Sequence, residues 1–207
     1  MTPAEREDQL AIRDIIERWV LFRDAGNWEQ FRTLWHDDGQ MTATWTQCHV
    51  DEFIRLAKEG AARGASIFHS LGGQTIEVRA GRAVSQAKMT VAQRGKLDGI
   101  VCDVVCTGRF YDFLERRDGR WGLVLRRVIY EKDRADPVDT SQTLHLDAGT
   151  LARFPAGYRH LGYLQSQAGF DIHLDLPGTV GPAIEALYRL GASWLAGGPF
   201  PQAQVDS

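Results

Sequence analysis

The stretch Tyr111–Asp133, YDFLERRDGRWGLVLRRVIYEKD, decides the fold. On both sides of Asp118-Gly119, β-branched and aromatic side chains recur with a period near two, the spacing of one face of a strand. Asp-Gly between two such runs signals a two-residue hairpin turn, because these residues accept the left-handed backbone that matches strand twist. The stretch therefore reads as two long antiparallel strands, Ile100 to Arg116 and Arg120 to Lys132.

The same period runs back to Ser66. Ile67 to Leu71, Gln74 to Arg79 and Ala83 to Gln93 read as strands. Turn signals separate them at Gly72-Gly73, Ala80-Gly81-Arg82 and Lys96-Leu97-Asp98-Gly99. Connections this short make a mostly antiparallel sheet. Before Ser66 the period is helical. Ala11, Ile12, Ile15, Ile16, Trp19 and Val20 form one apolar stripe. Thr2-Pro3-Ala4-Glu5 starts that helix as a capping box, and Asp24-Ala25-Gly26-Asn27 ends it. A short helix carries Trp28, Phe31, Leu34 and Trp35 on one face, with His36-Asp37-Asp38-Gly39 as its end. Gln40 to Trp45 reads as a short strand and Val50 to Ala62 as a third helix. Three helices followed by a long meander predict an α+β fold: a cone-shaped, curved, mostly antiparallel sheet wrapped over three N-terminal helices. Such a cone has one open mouth and holds a small apolar ligand.

After residue 135 the pattern changes. Asp133 to Thr143 is polar, contains proline and reads as a linker. Two amphipathic helices follow, one around Tyr158, Leu161, Leu164 and Gln165, the other through Ile184, Leu187, Tyr188, Gly191, Trp194 and Leu195. Residues 1–135 are the expected barrel domain. Residues 136–207 are an extension that packs on it or on a neighbouring subunit.

Composition limits the function classes. The chain has 207 residues, 43% of them hydrophobic, enough for a sizeable core. Twenty-four Lys and Arg against 27 Asp and Glu leave no basic excess for nucleic acid. No apolar run reaches the roughly 20 residues that span a bilayer, and no membrane association is expected. The polar start MTPAEREDQL lacks a signal-peptide core, and three cysteines without a CxxC pair suggest a reducing compartment. The expected location is cytoplasmic. No GxGxxG, P-loop, GxSxG, HExxH or clustered Cys/His spacing occurs, so neither a metal nor a cofactor is expected.

Three side chains carry candidate chemistry. Asp24 ends an apolar stripe at a helix C-terminus, where the dipole disfavours a carboxylate; a solvated turn residue is the plain alternative. His69 shares a strand face with Ile67 and Leu71, so its imidazole needs partners; a satisfied core histidine is the plain alternative. Together they can form a dyad in which the carboxylate fixes the tautomer and raises the basicity of the remote nitrogen. In Leu125-Arg126-Arg127-Val128 neighbours alternate faces. An inward Arg127 would stabilise departing negative charge; a surface Arg is the alternative. Trp19, Phe22, Trp35, Trp45 and Phe68 are candidate pocket walls, with core packing the alternative. Cys102 and Cys106 point the same way, as core or pocket-lining thiols.

The segments AIRDIIERWVLFRDAGNWEQFRTLWHDDG, HSLGG, GRAVSQA and YDFLERRDGRWGLVLRRVIYEKD resemble the SnoaL-like branch of the nuclear-transport-factor-2-like superfamily over about residues 5 to 135. That superfamily includes scytalone dehydratase, hexachlorocyclohexane dehydrochlorinase, bile-acid 7α-dehydratase, diarylpropane formaldehyde lyases and dioxygenase β subunits. The resemblance implies an apolar pocket with the dyad on Asp24 and His69 and the dehydrochlorinase-type Arg on Arg127. The Tyr of some dehydratases falls on Trp19, a departure that argues against Tyr-assisted chemistry there. The expectation is a cofactor-independent lyase of dehydratase or elimination type acting on a small apolar, aromatic or polycyclic substrate. Formaldehyde-releasing lyase, ring isomerase and polyketide cyclase are alternatives on the same scaffold. A non-catalytic binding or assembly module is the competing class. A homodimer or homotrimer is expected.

Overall fold

The computed structural model describes residues 2–201. Helix α1 (Pro3–Asp24) opens with a capping box: Glu5 N–H donates to Thr2 Oγ1 and Thr2 N–H to Glu5 Oε2. Its stripe Ile12, Ile15, Ile16, Trp19 and Val20 is buried. Helix α2 (Trp28–Thr33) buries Phe31, and α3 (Val50–Ala62) buries Val50, Phe53, Ile54 and Ala57.

Six strands form one sheet: β1 (Trp35–Ala43), β2 (Thr46–His49), β3 (Ser66–Arg79), β4 (Arg82–Leu97), β5 (Ile100–Arg117) and β6 (Arg120–Pro137). Their order is β2-β1-β6-β5-β4-β3; only the β1–β6 pair is parallel. The turns Ala80-Gly81, Asp98-Gly99 and Asp118-Gly119 have positive φ at both residues, the type I′ pattern that carries right-twisted strands into one another. The expected α+β architecture is present.

Several boundaries differ from the sequence expectation. His36 to Gly39 belongs to β1 rather than to a helix end. The His36 ring is buried, with Nε2 2.8 Å from the Glu115 carbonyl. Gly72-Gly73 does not turn the chain; it lies at a register shift inside β3. Strand β6 runs to Pro137, so half of the expected linker is sheet.

One bulge decides the site. Leu114 pairs with Leu123 but Phe113 with Leu125, leaving Val124 as an extra residue. Trp121 and Leu123 pack in the concave core. Past the bulge the parity flips, and Leu125 joins Val124 and Ile129 in a second cluster on the convex face. There, α6 (Pro182–Leu195) covers the sheet with Ile184, Leu187 and Trp194. Gly191 lets it approach: a Cβ there would lie 2.0 Å from the Tyr111 hydroxyl. The short α4 (Ala148–Leu151) precedes α5 (Arg159–Gln167), whose Leu161 and Leu164 join the concave core.

Candidate functional site

The last turn of α1 and the start of β3 meet at the mouth of the concave face. His69 donates twice to Asp24: its backbone N–H to Oδ2 at 2.5 Å and ring Nδ1 to Oδ1 at 2.7 Å. A carboxylate at Nδ1 fixes the proton there and leaves Nε2 as the basic nitrogen. Nε2 makes no hydrogen bond to the described residues. These two accepted bonds compensate Asp24 for its position at a helix C-terminus. The His69 side chain is 10% exposed and its ring stands edge-on to Trp19, with centroids 5.6 Å apart. Desolvation in this apolar setting pulls its pKa below the ordinary histidine value, against the upward pull of Asp24. His69 is therefore neutral, and basic at Nε2, at neutral pH.

The imidazole lines an inner chamber with Trp19, Met41, Phe53, Phe110, Val128 and Tyr130. Arg23, Trp45, Ile67, Gln93 and Gln165 border this chamber and also an outer one, which continues past Asp24 to Trp28, Leu56, Gly60 and Phe170. Free volume is about 50 Å³ inside and about 110 Å³ outside. Gln165 spans the junction: Thr44 Oγ1 donates to its Oε1 at 2.5 Å, and its Nε2 donates to Gln93 Oε1 at 3.0 Å.

The expected residues separate into two groups. Asp24 and His69 come together, and Trp19 and Trp45 line the cavity. The others do not reach it. Phe22 packs half-buried against the core, and Phe68, one residue out of phase with His69, is 60% exposed. Cys102 and Cys106 are core thiols; Cys106 Sγ donates to the Gly157 carbonyl at 3.4 Å, and burial pushes its pKa far up. Trp35 is likewise core. Arg127 is corrected by the bulge. It falls on the convex parity, half-buried and near enough to Asp175 to feel its charge. Arg126 takes the concave position. Its guanidinium stacks behind the cavity wall, 4.1 Å from the Trp19 ring centroid and 3.8 Å from that of Phe110. It forks onto buried Asp112 at 2.6 and 2.9 Å.

The cation that lines the cavity is Arg23, which sequence reasoning missed. Its Nη1 lies 3.5 Å from Asp24 Oδ1, and the side chain is 12% exposed. Burial lowers its pKa while Asp24 raises it; a guanidinium stays charged regardless. The signal was its place beside Asp24 in the terminal turn of a helix that ends at the mouth. Tyr130 becomes legible only once the bulge is counted. Gln165 and Phe170 arrive from the extension, and no local pattern places them. Among the described residues, no group of three or more His, Cys, Asp or Glu could hold a metal ion, and no helix is long and apolar enough to cross a membrane.

Residues 4–127 match the family model described as SnoaL-like domain. A PEP2-like protein of Fusarium vanettenii is 35% identical over 201 residues, covering 92% of this chain and 86% of that protein. Pea pathogenicity protein 2 of the same organism is 34% identical over 201 residues, with the same coverage. Among solved structures, a hexachlorocyclohexane dehydrochlorinase (LinA) type 2 superimposes with a TM-score of 0.54 at 14% identity, covering 69% of this chain and 95% of the other. The fold is common to both, and about a third of this chain has no counterpart there.

Proposed function

The chain belongs to the SnoaL-like domain family, and on that premise we propose that it is a cofactor-independent lyase of the elimination type. The observation that carries this reading is the Asp24–His69 pair, with a neutral imidazole presented to an apolar cavity. His69 Nε2 takes a proton from a substrate carbon. The C–H electron pair becomes the new C=C bond, and the group on the neighbouring carbon leaves with its own bonding pair. Asp24 holds the Nδ1 tautomer and stabilises the imidazolium. Arg23 faces the departing negative charge, a role the sequence had given to Arg127. A halide leaves as the anion. A hydroxyl leaves as water by taking the proton back from His69. The apolar walls suit a small aromatic or polycyclic substrate.

Hydroxylated and halogenated aromatics screened with wild type and His69→Ala test the reading. Turnover by wild type, lost in the variant, supports it. Equal turnover by both removes the general-base role, and saturable binding without turnover by either returns the chain to the ligand-binding class.

A further inference from the structure

The inner chamber is too small for the substrate class just proposed. Its roughly 50 Å³ of free volume is about a third of the ~150 Å³ apolar cavity that takes up benzene, and only with the outer chamber is that size approached. The chambers share five wall residues, so a ligand entering one is in contact with the other. Their chemistry differs. The inner chamber holds the basic nitrogen of His69. Beyond Asp24, the outer chamber is walled by small and apolar residues: Ala57 and Gly60 of α3, Ala65, and Phe170 of the extension. At the junction stand the polar groups of Arg23, Gln93 and Gln165.

We infer that the two chambers form one bipartite site for an amphiphilic aromatic: an oxygen-bearing ring whose reactive edge meets His69, and an apolar arm lying in the outer chamber between α3 and Phe170. This deepens the lyase reading by naming the shape of its substrate. The arm site is built in part by residues beyond the segment matched to the family, since Gln165 and Phe170 both follow residue 127. The length of the arm is therefore set jointly by α3 and the extension, while the chemistry belongs to the domain.

Gly60 offers a clean plug. It lies in α3 with ordinary helical φ, and an added Cβ meets nothing closer than Ala65 Cβ at 3.9 Å. Gly60→Leu places an apolar side chain at the wall of the outer chamber, with no clash at its Cβ, and improves helix propensity. The probes are 4-alkylphenols from 4-methylphenol to 4-hexylphenol, with Kd read by isothermal titration calorimetry on wild type, Gly60→Leu and His69→Ala. In wild type each added methylene tightens binding about three- to fourfold until the chamber is full. In Gly60→Leu that gain disappears and every member weakens, 4-methylphenol included, because its ring also needs part of the outer chamber. In His69→Ala the gain per methylene persists and the whole series weakens together. A gain that survives in Gly60→Leu, a flat series in wild type, or no binding of any member at millimolar concentration overturns the inference. Because the readout is binding, a failure of the lyase reading, seen as turnover unaffected in His69→Ala, leaves the chain-length result standing.

Discussion

Asp24 and Asp133 each hold a histidine in the same way, yet the surroundings invert the roles. Asp24 accepts the backbone N–H and Nδ1 of His69. Asp133 accepts the backbone N–H and Nδ1 of His160, at 2.7 and 2.8 Å, and the N–H of Leu161 at 2.9 Å. In the first pair the imidazole is the buried partner, 10% exposed against 18% for the carboxylate. In the second the carboxylate is buried, 1% exposed against 23% for the imidazole. Asp133 thus caps the first turn of α5 from the sheet, and its histidine completes that cap. Asp24 supports an imidazole that lines a cavity, whereas neither member of the second pair lines either chamber. A carboxylate–imidazole contact does not mark a catalytic site by itself. What marks one is where the free nitrogen is placed and how dry that place is.

The strongest way to break this contrast is to remove each imidazole. His69→Ala is expected to lower turnover by about 10³–10⁴-fold, and His160→Ala to leave kcat within about twofold. Similar losses in both would erase the distinction. Asp24→Asn is the next largest, a loss on the order of 10²–10³-fold with binding of 4-alkylphenols little changed, because the tautomer rather than the cavity is disturbed. Arg23→Gln should cost about 10²-fold, concentrated in kcat. The matching change in the second pair acts on a different observable. Asp133→Ala should leave turnover intact and destabilise the fold by about 2 kcal/mol, a drop in Tm of a few degrees, because it uncaps α5 and leaves buried N–H groups unpaired.

The smallest effect is the pH dependence. His69 has a folded pKa below its unfolded value of about 6.5. The neutral form is the base, so the acid limb of the kcat/KM profile should have its midpoint below pH 6.5. A midpoint above 6.5 would contradict the desolvated setting. The same depression favours the folded state above pH 6.5, and this contribution is lost as pH falls through the folded pKa. Desolvated His36 adds an effect of the same sign, so the acid slope of Tm should flatten only in part in His69→Gln.

What was legible in the sequence follows from the range of the interactions. The stripe of α1, the three two-residue turns and the long strands are written in spacings of two to four residues, which local sterics enforce. The pairing of Asp24 with His69 was legible because a helix end and a strand start each left one polar group on an apolar face. Alternation alone leaves open which of Arg126 and Arg127 points inward and the resemblance favours Arg127; the bulge at Val124, which leaves no trace in a run of aliphatic residues, turns Arg126 inward instead. Phe68 was misplaced for a simpler reason: it alternates with His69, and the two cannot share a face. The contributions of Gln165 and Phe170 depend on contacts spanning up to 121 residues, as between Gln165 and Thr44, beyond any local pattern.

The extra residue at Val124 has a consequence for comparing members of the family. Two arginines stand side by side after it, so a one-residue deletion there would exchange which of them reaches the interior without altering either. Residue roles on this strand are therefore inherited through strand parity, and assignments transferred by counting positions from a shared motif will be displaced by one wherever a relative has gained or lost that residue.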